Sequence, residues 1–199
     1  SLSNFNISVK GSNLKLKITD PRDSSLLKYG WVTILKKETN GNQSWVMNAD
    51  INSNNPGYAG ANLTDGNYRL ELNPQQGPTL IAGLARKYYD AVVSGSGTTV
   101  SVSYNGTSLT ADGNGRFNLT PASANVTGRV LNQSGTAVTP GNNKWVNINV
   151  QKYIAAENRW DWSNNWANTD NDGFFNISVS EAGKYRLRIE PNGYADSTV

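Results

Sequence analysis

The residues with the most chemical potential in this chain are aromatic. Trp160, Trp162 and Trp166 stand together in the stretch WDWSNNW, with Tyr153 just upstream. Indole faces flanked by Asn amides suit sugar rings, which stack on the ring while their hydroxyls bond the amides. The same rings can instead fill a core. Trp160 aligns with Trp45, and Trp145 with Trp31, in an internal repeat, which favours the core; Trp166 has no counterpart and is the candidate exposed ring. Asp170-Asn171-Asp172-Gly173 offers hard oxygens at alternate positions before a Gly, as a calcium loop begins. The bidentate Glu that such a loop needs does not follow, and Asp-Gly before a strand is ordinary turn chemistry, so Asp170 and Asp172 are weak metal candidates.

The chain holds no His and no Cys. That removes Cys/His zinc sites, Cys nucleophiles and His acid–base catalysis. A glycosidase-like carboxylate pair is nearly the only catalytic option left. Asp161, Asp170 and Asp172 carry no mark of such a pair. We expect neither an enzyme nor a cofactor. Lys plus Arg (18) exceed Asp plus Glu (15) by three, with no dense basic run, so nucleic acid is not an expected partner. No apolar run approaches the ~18 residues of a membrane-spanning helix. Eight Asn-x-Ser/Thr triplets occur among 28 Asn. Asn6, Asn62, Asn118, Asn125 and Asn176 are the candidate glycan acceptors among them.

The elements that would position these groups read as strands. Asn and Gly favour turns over helix interiors, and no apolar period of 3.6 persists. NLKLKIT (13–19) alternates Leu14, Leu16 and Ile18 with lysines, a half-buried strand with a wet face. WVTILKK (31–37) and SWVM (44–47) flank Asn40-Gly41-Asn42, a hairpin signal. Tyr58–Leu63, Tyr68–Leu72, Tyr88–Val93 and Thr99–Tyr104 are further strands, and Pro74 to Pro78 reads as irregular. The fold class is all-β with little or no helix.

The second half replays the first. Trp145-Val146-Asn147-Ile148 answers Trp31-Val32-Thr33-Ile34, and Gly183-Lys184-Tyr185-Arg186-Leu187 answers Gly66-Asn67-Tyr68-Arg69-Leu70. Repetition of this kind outweighs any single propensity. Phe117 to Leu131, FNLTPASANVTGRVL, matches Phe5 to Thr19, FNISVKGSNLKLKIT. In mid-chain that stretch closes one unit and opens the next. At residues 5–8 the same closing strand is expected, ahead of the first unit.

The second repeat resembles the prealbumin-like β-sandwich modules of bacterial surface proteins, the collagen-adhesin B-type and carboxypeptidase-regulatory-like repeats. The likeness rests on a first strand with a Gly turn, Asp-Gly before a strand, and Gly-x-Tyr-x-Leu leading to Pro and Gly-Tyr. It implies two tandem Ig-like or prealbumin-like sandwiches and a stalk, spacer, adhesin or surface-layer role. Some such modules carry a Lys–Asn isopeptide bond. The strand Val126–Leu131 has no Lys, Lys15 and Lys17 should face water, and Glu190 near the acidic position lacks a partner, so neither unit is expected to form one.

The expected domains are residues 12–120 and 121–199, after an N-terminal strand, 1–11, that belongs or is donated to a neighbouring unit. The second sandwich, built like the first, would lack its closing strand. Phe5, Ile7 and Val9 form the expected assembly strand. The reading is an extracellular structural protein at the cell surface: a repeat or subunit of a filament, stalk or surface layer. Its partners would be copies of itself or adjacent repeats. The alternative is an adhesin module binding surface glycans through Trp160, Trp162 and Trp166.

Overall fold

The computed structural model describes residues 11–77, 79–138, 146–191 and 197–198. It is all-β: apart from one three-residue 3-10 turn at Ala155–Glu157, every regular element among the described residues is a strand. The described residues divide into two compact units. Unit 1 comprises those up to Thr19 with Leu26–Glu71 and Tyr88–Leu119. Unit 2 comprises Asp20–Ser25, Leu72–Lys87 and the residues from Thr120 onward.

The first strands appear where the period-two pattern places them: β1 (Leu14–Ile18), β2 (Gly30–Lys37), β3 (Gln43–Ile51), β4 (Tyr58–Ala61) and β5 (Gly66–Asn73). In β1 the apolar residues Leu14, Leu16 and Ile18 are at most 1 % exposed, while Lys15 and Lys17 point outward. β2 and β3 form the expected hairpin, from Lys37↔Gln43 at the turn to Gly30↔Ile51. Gly41 takes φ 85°, the left-handed conformation that turn requires. β4 and β5, adjacent in sequence, lie in different sheets.

Three two-residue strands follow, β6 (Gln75–Gln76), β7 (Thr79–Leu80) and β8 (Leu84–Ala85). The stretch expected to be an irregular loop of the first sandwich is thus structured and belongs to unit 2. Leu84 and Ala85 are buried there, and β8 pairs with Ala122 and Ser123. Strands this short carry too little pattern to be read from sequence.

Unit 1 then continues with β9 (Lys87–Ser94), β10 (Thr99–Tyr104), β11 (Thr107–Ser108) and β12 (Phe117–Leu119). Its larger sheet runs β11-β10-β9-β5-β2-β3 and its smaller sheet β12-β1-β4. β4 lies antiparallel to β1, from Leu14↔Ala61 to Lys17↔Tyr58. β12 lies parallel to β1 on the other side, with Leu16↔Phe117, Lys17↔Asn118 and Ile18↔Leu119. Phe117 and Leu119 are buried.

Unit 2 holds β13 (Ala122–Ser123), β14 (Val126–Arg129), β15 (Val146–Ile154), β16 (Arg159–Asn168), β17 (Phe174–Ile177), β18 (Tyr185–Pro191) and β19 (Ser197–Thr198). Its larger sheet runs β16-β15-β18-β19, the order of β3-β2-β5-β9 in unit 1. Its smaller sheet, among the described residues, is β14-β17, paired from Val126↔Ile177 to Arg129↔Phe174. The core is Val146, Ile148, Val150, Ala167, Phe175 and Ile177, with half-buried Val126, Val130, Tyr185, Leu187 and Ile189 against it.

Candidate functional site

The first strands of the two units can be superimposed bond for bond. The Ile18 N–H donates to the Gly57 carbonyl at 2.7 Å, as Val130 donates to Gly173 at 2.9 Å. Both glycines have positive φ, 70° and 80°. A Cβ at Gly57 would stand 2.9 Å from the Ile18 carbonyl oxygen, and one at Gly173 would stand 2.8 Å from that of Val130. Only Gly permits both the conformation and the approach. Beyond the strand, Leu27 donates to Ile18 and Val138 to Val130, each at 3.0 Å, and isolated bridges join Thr19 to Leu26 and Leu131 to Ala137.

An asparagine before each strand forms a matching clamp. Asn13 Oδ1 accepts from the Leu63 N–H at 2.9 Å and Asn13 Nδ2 donates to the Leu63 carbonyl at 2.7 Å. Asn125 does the same with Val179, at the same two distances. Tyr68 and Tyr185 likewise donate from their hydroxyls to the Thr64 and Glu181 carbonyls, both at 2.7 Å.

Against this equivalence, one difference defines the candidate site. In unit 1, the edge of β1 away from β4 is filled by β12, and Thr19 donates to the Leu119 carbonyl at 3.0 Å. In unit 2, among the described residues, no strand lies on the corresponding edge of β14. Antiparallel pairing alternates the direction of backbone groups. Since Val130 bonds β17's side, Thr127, Arg129 and Leu131 aim their N–H and C=O groups at the unfilled edge. Burial follows. Val126, Gly128 and Val130 are half-buried where Leu14, Leu16 and Ile18 are sealed. Leu131 is 47 % exposed, whereas its counterpart Thr19 is 7 % exposed.

The inner face of that edge is cut to a different shape. The directly paired residues Leu16 and Ala59 of unit 1 become Gly128 and Phe175 in unit 2. The Phe175 ring lies over Gly128, so that an added Cβ would stand 2.6 Å from its Cζ.

No protein-family model matches this chain. No curated protein matches it either. The reading of the site therefore rests on its geometry.

Among the described residues, no tryptophan belongs to the buried core. Trp160 pairs with Tyr153 and Trp162 with Gln151, on the face of β15–β16 opposite Val150. The one buried residue of β16 is the smaller Ala167. Trp160 is half-buried, its ring 5.3 Å from Tyr153 and 4.7 Å below the Arg186 guanidinium, which also donates to Gln151 at 2.6 Å. Trp162 is 54 % exposed, with Arg188 5.5 Å from its centroid. Trp166, expected to be the exposed ring, is half-buried under Arg86 at 3.5 Å, whose Nε donates to Asn73 at 2.6 Å. Arg86 lies on the strap between β8 and β9, too far along the chain for sequence reasoning to pair it with Trp166. Trp45, the counterpart of Trp160, is 65 % exposed.

The Asp170 carboxylate is spent on its own loop. Its Oδ1 accepts the Asp172 and Phe174 N–H groups at 3.0 and 2.8 Å. Asp112 holds its turn identically through Asn114 and Arg116, both at 2.9 Å, and the Arg116 N–H keeps that carboxyl below its ordinary range. Asp172 is exposed, and no cluster of three or more metal-ligating side chains occurs among the described residues. Glu190 sits on the outer face, bonded to Asn149 and Arg188, both at 2.8 Å.

Of the candidate glycan acceptors, Asn62 and Asn118 are exposed. Asn125 donates its amide to Val179, and Asn176 donates to the Ile81 and Leu84 carbonyls, both at 3.1 Å, so both nitrogens are committed to the fold. Asn6, with Phe5, Ile7 and Val9 of the expected assembly strand, lies outside the described residues.

Proposed function

We propose that this chain is a structural link in an extracellular, cell-surface assembly such as a filament, stalk or surface layer, joined head to tail by strand complementation, with no catalytic role. One observation carries the reading. The segment Phe117–Leu119 completes the smaller sheet of unit 1, and its sequence recurs at Phe5–Ile7 with Ile in place of Leu. A sequence that forms a closing strand in mid-chain is thus repeated near residue 5. Strand addition supplies main-chain bonds for affinity and alternate side chains for specificity. A head-to-tail contact is heterologous and builds a fibre where its rotation does not close a ring.

The magnitudes set the terms. Burying Phe5 and Ile7 contributes about 1.5–3 kcal/mol each, and ladder hydrogen bonds about 1 kcal/mol each. Ordering six backbone residues costs roughly 1–2 kcal/mol apiece. The balance is near zero, so assembly depends on concentration and on contact beyond this strand. Sedimentation velocity over a range of concentrations tests the reading. Species growing in steps of one chain are expected, and a monomer at every concentration contradicts it.

A second reading is favoured by the exposed Trp162 with Arg186, Arg188, Gln151 and Asn149 around the aromatic row. That face has the amphipathic character of a glycan-binding surface. Glycan binding lost on Trp162→Ala supports it; no binding on a broad glycan panel ends it.

A further inference from the structure

The structure offers an acceptor with a defined register, and the geometry points to its occupant: residues 4–9 of a second copy of this chain, lying parallel to β14. This rests on the assembly reading above and specifies its joint. The register follows from unit 1, where Phe117, Asn118 and Leu119 stand beside Leu16, Lys17 and Ile18. Transferred through the equivalent bonds of the two first strands, it places Phe5 beside Gly128, Asn6 beside Arg129 and Ile7 beside Val130.

Three features of the edge fit that strand. The backbone groups of Thr127, Arg129 and Leu131 are aimed toward it, and the Leu131 N–H corresponds to that of Thr19, which in unit 1 donates to the Leu119 carbonyl. The half-buried Val126 and Val130 form the inner face that Ile7 would cover. Gly128, lacking a side chain, lets two rings meet: Phe175 already lies over it from one side, and Phe5 approaches from the other. A glycine between two aromatic residues on neighbouring strands is covered by them. In unit 1 the middle position is filled by Leu16 and the flanking one is only Ala59. The unit 2 edge is therefore shaped to prefer an aromatic donor residue at this row. Among the described residues that edge is unpaired, in keeping with the lower burial of Val126, Gly128 and Val130 than of their counterparts, and exposed strand edges are normally covered.

The test uses the absence of Cys from the native chain. Asn6→Cys and Arg129→Cys are introduced into separate copies, which are mixed at assembling concentration and oxidised. Parallel neighbours in this register bring their Cα atoms within the ~4.4–6.8 Å that a disulfide spans. The expected product is a covalent dimer containing one of each variant. Asn4→Cys with Arg129→Cys, shifted by two residues, should give at least several-fold less. A third chain carrying Phe5→Asp with Asn6→Cys should lose the crosslink while remaining folded by circular dichroism. Assembly without the Asn6–Arg129 crosslink overturns this register and leaves the structural-link reading standing. A crosslink formed only within one molecule, in the doubly substituted chain, overturns the second copy as occupant. No assembly and no crosslink overturns both.

Discussion

The two smaller sheets share a first strand, a glycine corner and an asparagine clamp, yet one has three strands and the other two among the described residues. The comparison teaches that the edge strand is what seals a unit here. Leu14, Leu16 and Ile18 are sealed because β4 and β12 flank them. Val126 and Val130 have the same polar–apolar alternation and the same antiparallel neighbour, but remain half-buried. The larger sheets repeat the contrast: Tyr68 and Leu70 are at most 2 % exposed, while Tyr185, Leu187 and Ile189 are half-buried.

The largest effect that could break this comparison is removal of the seal. Phe117→Ala should destabilise unit 1 by about 3–5 kcal/mol. Val130→Ala should cost about 1 kcal/mol in the dilute chain, since its burial is partial. Denaturant titration with probes in each unit measures both, and equal losses would mean that the β14 edge is already covered.

Next comes the exchanged pair. Gly128→Leu should cost about 1–3 kcal/mol by overpacking against Phe175. Adding Phe175→Ala restores the Leu–Ala pairing of unit 1 and should recover at least half of that loss, a coupling read from the double-mutant cycle. Additive losses would show that the two positions do not share one space.

A smaller contrast separates the clamps. Asn13 makes an additional bond to the Gly97 carbonyl at 2.9 Å and accepts from the Leu14 N–H. Asn13→Ala should therefore cost about 1–3 kcal/mol and Asn125→Ala about 1 kcal/mol, checked by thermal or chemical unfolding.

The smallest effect concerns the turns after the first strands, where Asp20 and Asn132 occupy equivalent positions. Arg22 bonds Asp20 through a two-pronged fork at 2.8 and 2.5 Å and holds its carboxyl below the ordinary range. A depressed carboxyl contributes stability that is present above its unfolded value, about 3.9, and is lost as pH falls through the folded value. Half-exposed Arg22 limits this to less than about 1 kcal/mol. Asp20→Asn should remove that acid-dependent component, seen by comparing unfolding at neutral and acid pH.

Much of the fold was legible because period-two alternation and turn residues act locally. Leu14-Lys15-Leu16-Lys17-Ile18 announces a half-buried strand, and Asn40-Gly41-Asn42 a hairpin. The repeat located β14, β15 and β18 by analogy. The membership of residues 72–87 in unit 2 was not legible, because β8 has two residues and its anchors, β13 and Asn176, are distant in sequence. The tryptophans misled for a physical reason. Ring size suggests core, but face is decided by register, and the pairing of Trp160 with Tyr153 assigns the core face to Ala167. The difference between the two smaller sheets was legible only in part: the repeated sequence was visible from Phe5, while the Gly128–Phe175 exchange emerged only from cross-strand pairing.

The most direct measurement is amide hydrogen exchange at Thr127, Arg129 and Leu131 in dilute and concentrated protein. Fast exchange in the dilute chain is predicted, with protection rising as concentration increases and lost on Phe5→Asp. Protection already complete in the dilute monomer, or never gained in the assembled material, would contradict the account.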